Sequence, residues 1–273
     1  MCAVPVYVSL TSIASNEDVL LTTLRSLLSQ SVTPDKIYLF LSEEPYLLDR
    51  GFKGRRLRNG VLAQLLHHAP LISVIWVEND GPYRKLLPLL KEKWEEDCII
   101  ITVDDDSAYD KHLVKNLLED HKTHNCAVAF RGMSPTLSWI GEFNYSRRNW
   151  DSYTPSSKVD ESGASRCALH NFPMGKGGIL YKPSFFHKTG GLIFSRELYR
   201  STCPTQDDVW FYVVRVLNGV PCYLGAREWG RDTPGPGGGL FKHYNSRNDA
   251  NTRAGARAIA GIQRTGLRFA RPH

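Results

Sequence analysis

The order of apolar and polar positions predicts alternating strands and helices in the first half of the chain. Residues 4–10 alternate apolar and polar side chains, which is typical of a strand. A helix is predicted after Asn16, and residues 36–41 are predicted to form the next strand. The helix carries one apolar stripe, formed by Leu20, Leu24, Leu27 and Leu28. A strand, a helix and a strand in this order close as a right-handed unit with parallel strands.

Residues 98–106, which read C-I-I-I-T-V-D-D-D, join a run of apolar residues to three carboxylates. Residues 99–103 do not alternate, so both faces of this strand should be buried, as in a parallel sheet covered by helices. Asp104, Asp105 and Asp106 then lie at the C-terminal edge of the sheet, where ligands bind in open α/β folds. Adjacent carboxylates raise one another's pKa unless a cation lies among them, which suggests a divalent metal. A solvated acidic turn after a core strand is the alternative.

Further elements continue the alternation. We predict a short helix at residues 62–66, a strand at 72–77, a helix at 111–122 and a strand at 127–130. The fold class expected from this order is α/β, with a mostly parallel sheet that is flanked by helices.

The stretch E-N-D-G-P-Y-R-K-L-L, residues 78–87, combines a turn, a helix start and a cation. Gly81 and Pro82 are typical of a tight turn into a helix, and Lys85 falls in or beside the first turn. Free N–H groups and the helix dipole favour an anion there, so Lys85 is a candidate phosphate ligand. A surface lysine on an amphipathic helix explains the residue equally well.

A second acidic pair lies in T-Q-D-D-V-W-F-Y-V-V-R, residues 205–215. The apolar face of this segment predicts a helix that ends at Gly219. Asp207 and Asp208 therefore lie at a helix N-terminus. Thr205 or Asp207 can cap this helix, and capping alone would account for one of the two acids. The functional alternative is that one of the two carboxylates is a general base.

Taken together, these motifs resemble the nucleotide-sugar-binding half of a GT-A glycosyltransferase. The resemblance rests on the first strand, the segment L-R-S-L-L-S-Q-S-V-T-P-D-K-I, G-P-Y-R-K and D-D-D. It is greatest to family-2-like sugar transferases encoded by viruses and microbes, with Gln30, Pro34 and the D-x-D motif as its most specific points. It implies a Rossmann-like GT-A domain over residues 1–226 and a C-terminal extension over 227–273.

The same resemblance implies roles for the two acidic groups. Asp104 would hold the ribose and Asp106 would hold Mn²⁺ or Mg²⁺ on the diphosphate, with Asp105 as the variable middle residue of the nucleotide-sugar site. In inverting members, one carboxylate of the later acidic motif is the general base. Asp208 matches the second acid of that motif and is our preferred base, with Asp207 supporting it.

Other candidate site residues follow from strand edges and glycines. Thr11 and Ser12 end the first strand and are candidates for binding the nucleotide sugar. The glycines of residues 172–181, F-P-M-G-K-G-G-I-L-Y, would let the backbone approach a ligand closely, although a plain turn also explains them. By the resemblance, a G-G-x-x-Y stretch lies beside the donor sugar, and its residues here are Gly177, Gly178 and Tyr181.

Residues 227–273 depart from the α/β pattern. The run P-G-P-G-G-G, residues 234–239, predicts a flexible joint before F-K-H-Y-N. GT-A enzymes often draw a third metal ligand from this region, which suggests His243, although a lone His is more often an ordinary surface or packing residue. The arginine-rich tail from Arg247 onward suits either an acidic surface or a solvated terminal helix.

Composition limits the possible classes of protein. The chain has 273 residues, of which 42% are hydrophobic, and can bury a large core. Its net charge of +6 favours anionic partners. The start of the sequence lacks the pattern of a signal peptide, and no apolar run suggests a transmembrane segment, so we expect a cytoplasmic protein. Six scattered cysteines without a C-x-x-C pair favour reduced thiols.

The predicted function is a metal-dependent glycosyltransferase that moves a sugar from a UDP- or GDP-linked donor to a glycan or glycoprotein hydroxyl, with inversion. A nucleotidyltransferase is one alternative, but the segment V-S-L-T-S-I lacks the usual Gly-rich phosphate loop. A non-catalytic sugar- or nucleic-acid-binding protein is the other, and the sequence shows no recognisable nucleic-acid module. In the middle of the chain, residues 134–166, Trp139, Trp150 and Tyr153 would stack on a sugar or pack internally. Residues 153–167 are predicted to form a long loop.

Overall fold

The computed structural model describes residues 4–133, 136–137, 143–144, 167–233, 235–236, 239–245 and 249–268. Most of residues 134–166, including Trp139, Trp150, Tyr153 and all but the last residue of the predicted loop at 153–167, lies outside these residues.

The described residues form fourteen strands and seven α-helices. The strands are β1 (Val6–Thr11), β2 (Lys36–Leu41), β3 (Ile72–Trp76), β4 (Ile99–Thr102), β5 (Ser107–Tyr109), β6 (Ala127–Ala129), β7 (Gly132–Met133), β8 (Thr136–Leu137), β9 (Phe143–Asn144), β10 (Cys167–Ala168), β11 (Phe172–Pro173), β12 (Ile179–Tyr181), β13 (Cys222–Leu224) and β14 (Gly230–Asp232). The helices are α1 (Glu17–Leu28), α2 (Gly60–His68), α3 (Leu87–Glu92), α4 (Leu113–His124), α5 (Arg196–Thr202), α6 (Asp207–Leu217) and α7 (Ala250–Arg264).

Within the described part of the chain, the main sheet has eight strands in the order β10-β13-β6-β12-β4-β1-β2-β3. The strands β4, β1, β2 and β3 are parallel neighbours, and β13 is parallel to β6. Only β12, between β4 and β6, and the edge strand β10 run antiparallel to their neighbours. The predicted mostly parallel sheet flanked by helices is therefore confirmed.

The central strand β4 is buried on both faces, as its unbroken apolar run predicts. Ile99 and Ile101 pack in a core layer with leucines of α1 and α4. Ile100 points the other way, into a layer that contains Trp210 of α6 and Ala254 of α7. Because side chains alternate across a strand, one apolar run supplies both layers. The carboxylates that follow therefore leave the sheet between two layers of helices.

A short turn separates Gly81 and Pro82 from the helix that they were predicted to begin. Gly81–Lys85 forms a 3₁₀ turn, and the α-helix begins only at Leu87. Pro88 lies in the first turn of α3, where its missing N–H costs no hydrogen bond. Lys85 thus lies beside the first turn of α3, directly before its N-cap Leu86, and not within that turn. Its backbone carbonyl accepts a hydrogen bond from Ser9 Oγ of β1.

Helix α7 belongs to the same core layer as α6. Ala254, Ala258 and Ile262 recur on one face of α7 and are fully buried. The small side chains let α7 pack closely against α5 and α6. The packing fixes the first turn of α7 beside the N-terminal end of α6.

Candidate active site

A cavity of about 440 Å³ opens where β1 and β4 end and α6 begins. It lies at the C-terminal edge of the parallel strands, where the sequence predicts ligand binding. Eight of the predicted site residues line it: Thr11, Ser12, Lys85, Asp104, Asp105, Asp106, Asp207 and Asp208. Two distant acidic motifs are thereby brought to one site.

Lys85 lies at the centre of this site. Its ammonium nitrogen is 3.0 Å from Asp104 Oδ1, 2.8 Å from Asp207 Oδ2 and 3.1 Å from Asp208 Oδ1. Burial lowers the pKa of Lys85, but the three carboxylates outweigh it and hold that pKa well above its usual value. The lysine is therefore charged, and it joins the acid after β4 to both acids of α6. In this structure carboxylates surround its ammonium group. The role of Lys85 as a phosphate ligand therefore stays a prediction.

The first turn of α6 presents Asp207 and Asp208 to Lys85. The residue before the helix is Gln206, and its side chain makes no capping hydrogen bond. The Asp207 side chain is nearly buried, and burial raises its pKa above the usual range. Asp208 is more exposed, and its Oδ2 accepts a hydrogen bond of 3.0 Å from the Gly175 backbone N–H. Asp208 is thus fixed by two donors while it still faces the cavity.

Asp105 occupies a different environment from its neighbours. Its Oδ2 accepts hydrogen bonds from the Ser12 hydroxyl and from Asn16 Nδ2. Burial raises the pKa of Asp105 to about 7, although these two hydrogen bonds oppose that shift. The middle acid thus ties the end of β1 to the turn after β4. Thr23 of α1 fixes the same turn, since its hydroxyl donates to the Asp105 carbonyl.

Asp106 has different partners from those of Asp105. Its Oδ2 is 3.4 Å from Lys176 Nζ, and Lys176 also lies 3.2 Å from Asp232 Oδ1. Asp106 Oδ1 is buried and finds no hydrogen-bond partner in the described part of the chain. Burial raises the pKa of Asp106, and the charge of Asp104 raises it further. A buried carboxylate oxygen without a donor is a suitable ligand for a hard cation.

The charges of the residues that line the cavity also favour a bound cation. Counting the described residues alone, the cavity is lined by seven carboxylates and four cationic side chains. Arg84 is paired with Asp49 at 2.9 Å, which leaves Lys85, Lys176 and Arg131 to balance six acids. An excess of negative charge disfavours an anionic ligand unless a further cation accompanies it. No cluster of three or more His, Cys, Asp or Glu side chains suited to a metal is found among these residues.

The glycine-rich segment contributes residues other than those nominated from sequence. Gly175 and Lys176 line the cavity. A Cβ on Gly175 would lie 2.5 Å from Lys85 Nζ, so glycine lets the backbone approach this lysine without displacing it. By contrast, Gly177 packs against Arg131, and Gly178 adopts a positive φ beside Leu113. Tyr181 is buried in β12. The roles of Gly177, Gly178 and Tyr181 in sugar binding stay predictions.

His243 lies on the turn Phe241–Asn245 and is exposed. It is not one of the residues that line the cavity, whereas Leu240 and Asn245 from the same segment are. Its role as a metal ligand stays a prediction. Asp232, on β14, which pairs with β5, contacts the same lysine, Lys176, as Asp106 does. The backbone N–H of Thr233 also bonds the Asp106 carbonyl.

Several lining residues were not identified from the sequence. The side next to Asp49 and Arg84 is formed by Tyr46, Leu47 and Pro82. These residues lie in irregular segments without a periodic pattern, so only their packing reveals them. The side next to α6 includes Gln206 and Asn251, which come from segments that looked unrelated in sequence.

None of the helices in the described part of the chain is both long and apolar enough to cross a membrane. No protein-family model matches this chain, and no curated protein sequence matches it.

Among solved structures, that of S. aureus TarS 1-349 matches this chain with a TM-score of 0.52 and 17% sequence identity, over 84% of this chain and 60% of that one. The structure of the same protein in complex with UDP matches with a TM-score of 0.50 and 15% identity, over 82% and 59%. This chain therefore spans about 60% of the length of the TarS chains it matches. TarS is a GT-A-type glycosyltransferase, and the fold of the present chain is of the same GT-A type.

Proposed function

We propose that this protein is a metal-dependent glycosyltransferase that transfers a sugar from a UDP- or GDP-linked donor to a hydroxyl of a glycan or glycoprotein, with inversion. The observation that carries the proposal is the convergence of two acidic motifs on one cavity at the edge of a GT-A sheet. Asp104 and Asp106 follow β4, Asp207 and Asp208 begin α6, and Lys85 contacts members of both groups. The UDP complex of a protein with this fold adds support.

On the donor side, Asp104 would bind the ribose and Asp106 would hold Mn²⁺ or Mg²⁺. The partnerless buried oxygen of Asp106 and the excess of carboxylates fit a hard divalent ion, with Asp104 nearby. When bound, such an ion neutralises charge on the departing diphosphate. Thr11 and Ser12 border the nucleotide, and Asp105 supports Ser12 through its hydrogen bond. Lys176 supplies a further cation beside Asp106.

On the acceptor side, Asp208 is the general base. The acceptor oxygen forms a bond to the anomeric carbon while the bond from that carbon to the diphosphate oxygen breaks and its electron pair leaves with the diphosphate. The hydroxyl proton passes to a carboxylate oxygen of Asp208. Lys85 and the Gly175 N–H hold that carboxylate in place. Attack from the face opposite the leaving group inverts the anomeric centre.

A panel of radiolabelled UDP- and GDP-sugars, incubated with the protein, Mn²⁺ and mixed glycan acceptors, tests the activity. We expect transfer of label from one donor to an acceptor. Calorimetry with UDP and GDP tests the cation: binding should be tight with Mn²⁺ or Mg²⁺ and weak with chelator. Asp106→Asn should abolish this difference. Asp105→Asn, a neighbouring change that keeps an oxygen to accept the hydrogen bonds from Ser12 and Asn16, should preserve it. Equal affinity with metal and chelator would contradict the assignment of Asp106.

A further inference from the structure

One side of the cavity consists of uncharged hydrogen-bonding groups. Thr205 and Gln206 precede the acids of α6, and Asn245 and Asn251 come from the C-terminal segment. Asn245 Oδ1 accepts hydrogen bonds of 2.8 Å from Thr205 Oγ1 and 2.9 Å from Gln206 Nε2. Asn245 Nδ2 donates to the Thr205 carbonyl at 3.1 Å. These contacts join the last segment of the chain to the residues directly before Asp207.

We call Thr205, Gln206, Asn245 and Asn251 the amide wall. Asn251 differs from its other three members. It is only 8% exposed, yet its Oδ1 has no hydrogen-bond partner within the residues that the structure describes. Asn251 lies in the first turn of α7, and Ala254 and Ala258 bury the following turns in the core. The backbone of α7 therefore fixes the position of Asn251. A buried acceptor without a donor costs free energy, so a partner from outside the chain is expected.

We propose that Thr205, Gln206, Asn245 and Asn251 form the acceptor subsite, and that Asn251 Oδ1 accepts a hydrogen bond from a hydroxyl of a neutral sugar acceptor. The proposal rests on the proposed function and names its acceptor class. Amide and hydroxyl groups match the donors and acceptors of sugar hydroxyls. The carboxylate excess of the cavity opposes an anionic acceptor, because like charges repel at short range.

The position of the wall in the sequence supports this assignment. Gln206 immediately precedes Asp207 and Asp208, so a hydroxyl bound by the wall lies on the side of the cavity that carries the base. Asp105 and Ser12, which the proposed function assigns to the nucleotide, bond to each other and come from other segments, the ends of β1 and β4. Donor and acceptor are thus assigned to different residues, and the C-terminal segment becomes part of the active site.

Saturation-transfer NMR with four probes tests the subsite: the methyl glycosides of glucose, galactose, mannose and N-acetylglucosamine, each with and without UDP or GDP and Mn²⁺. We expect at least one to bind the wild type. Asn251→Leu should weaken its binding about three- to ten-fold, the effect of one lost hydrogen bond, and leave nucleotide affinity unchanged. Asn251→Asp, which retains an acceptor oxygen, should retain binding. Gln263→Leu removes an exposed amide from the same helix and should have no effect.

Thermal unfolding of each variant shows whether the fold is retained, and Asn251→Ala replaces Asn251→Leu if the larger side chain does not fit. The subsite is wrong if no glycoside binds under either condition, or if removal of the Asn251 oxygen leaves glycoside binding unchanged. Unchanged binding together with lower stability would mean that a trapped water, and not a ligand, satisfies that oxygen. If glycosides bind through Asn251 but neither UDP nor GDP binds, the subsite is supported and the proposed glycosyltransferase function fails.

Discussion

The acids after β4 and the acids at the start of α6 share one cavity but are held in opposite ways. Asp104, Asp105 and Asp106 are consecutive in sequence, yet their carboxylates reach three different partners. Asp207 and Asp208 both lie against the single ammonium group of Lys85. Asp104, Asp105 and Asp106 thus form a divergent group, whose carboxylates contact different partners. Asp207 and Asp208 form a convergent pair, whose carboxylates share one partner.

This difference follows from the backbone that carries each group. A chain that turns away from a strand rotates successive side chains into different surroundings, so each carboxylate acquires its own contacts. The first turn of a helix instead carries neighbouring side chains at one end, where N–H groups already favour negative charge. The divergent group therefore suits several ligands, and the convergent pair suits one reaction.

The largest expected effect tests whether the convergent pair is catalytic. Asp208→Asn should reduce turnover about 10²- to 10⁴-fold, the usual contribution of a general base. Donor affinity should remain within about two-fold, because the proposed base acts only on the acceptor proton. Transfer assays, nucleotide calorimetry and thermal unfolding of the variant provide the measurements.

Asp207→Asn is the matched control for that prediction. Its side chain is more buried than that of Asp208, so the substitution should lower stability more and turnover less. If both variants transfer sugar at near-normal rates, the pair has no role as a base. A larger loss of turnover for Asp207→Asn would assign the base to Asp207.

The next prediction concerns the cation on which the pair converges. Lys85→Met leaves three carboxylates around a buried site without a counter-charge, and should cost about 3–5 kcal/mol of unfolding free energy. Lys115→Met removes a lysine from an exposed ion pair with Glu119 and should cost less than about 1 kcal/mol. Urea unfolding of both variants measures the difference. Similar losses would show that Lys85 does not stabilise the acidic cluster.

A pH titration examines the middle acid of the divergent group. Burial raises the pKa of Asp105 to about 7, so the folded protein binds a proton that the unfolded chain releases near pH 4. Its contribution to stability is complete below about pH 4 and is lost as the pH rises through about 7. In chelator without nucleotide, the Tm should fall over this range, and less steeply for Asp105→Asn. Identical slopes would exclude this contribution of Asp105.

The smallest expected effect concerns the glycine that touches both groups. Gly175→Ala places a Cβ 2.5 Å from Lys85 Nζ and 2.8 Å from Asp104 Oδ1, which should displace the lysine and cost about 1–3 kcal/mol. Gly60→Ala is the control, because no atom lies within 4 Å of its added Cβ. Chemical denaturation compares the two. Gly175→Ala with unchanged stability and turnover would mean that Lys85 tolerates displacement.

Much of the fold follows from local patterns in the sequence. The predicted strand at residues 36–41 is β2, and the unbroken run at residues 99–103 is the central strand β4. The helix predicted after Thr205 begins at Asp207. These predictions succeed because burial on one or both faces imposes a periodicity on adjacent residues, and a strand or helix repeats it over a few positions.

Local patterns do not predict how distant segments meet. The contacts of Lys85 with Asp104 and α6, the close approach of Gly175 and the position of Asn251 all arise from the packing of separate elements. The sequence by itself determined which residues carry the charges and which segments end at the sheet edge. The tertiary structure alone decided which carboxylates share a cation, because that depends on the order of strands and the packing of α6 and α7, which no short stretch of sequence encodes.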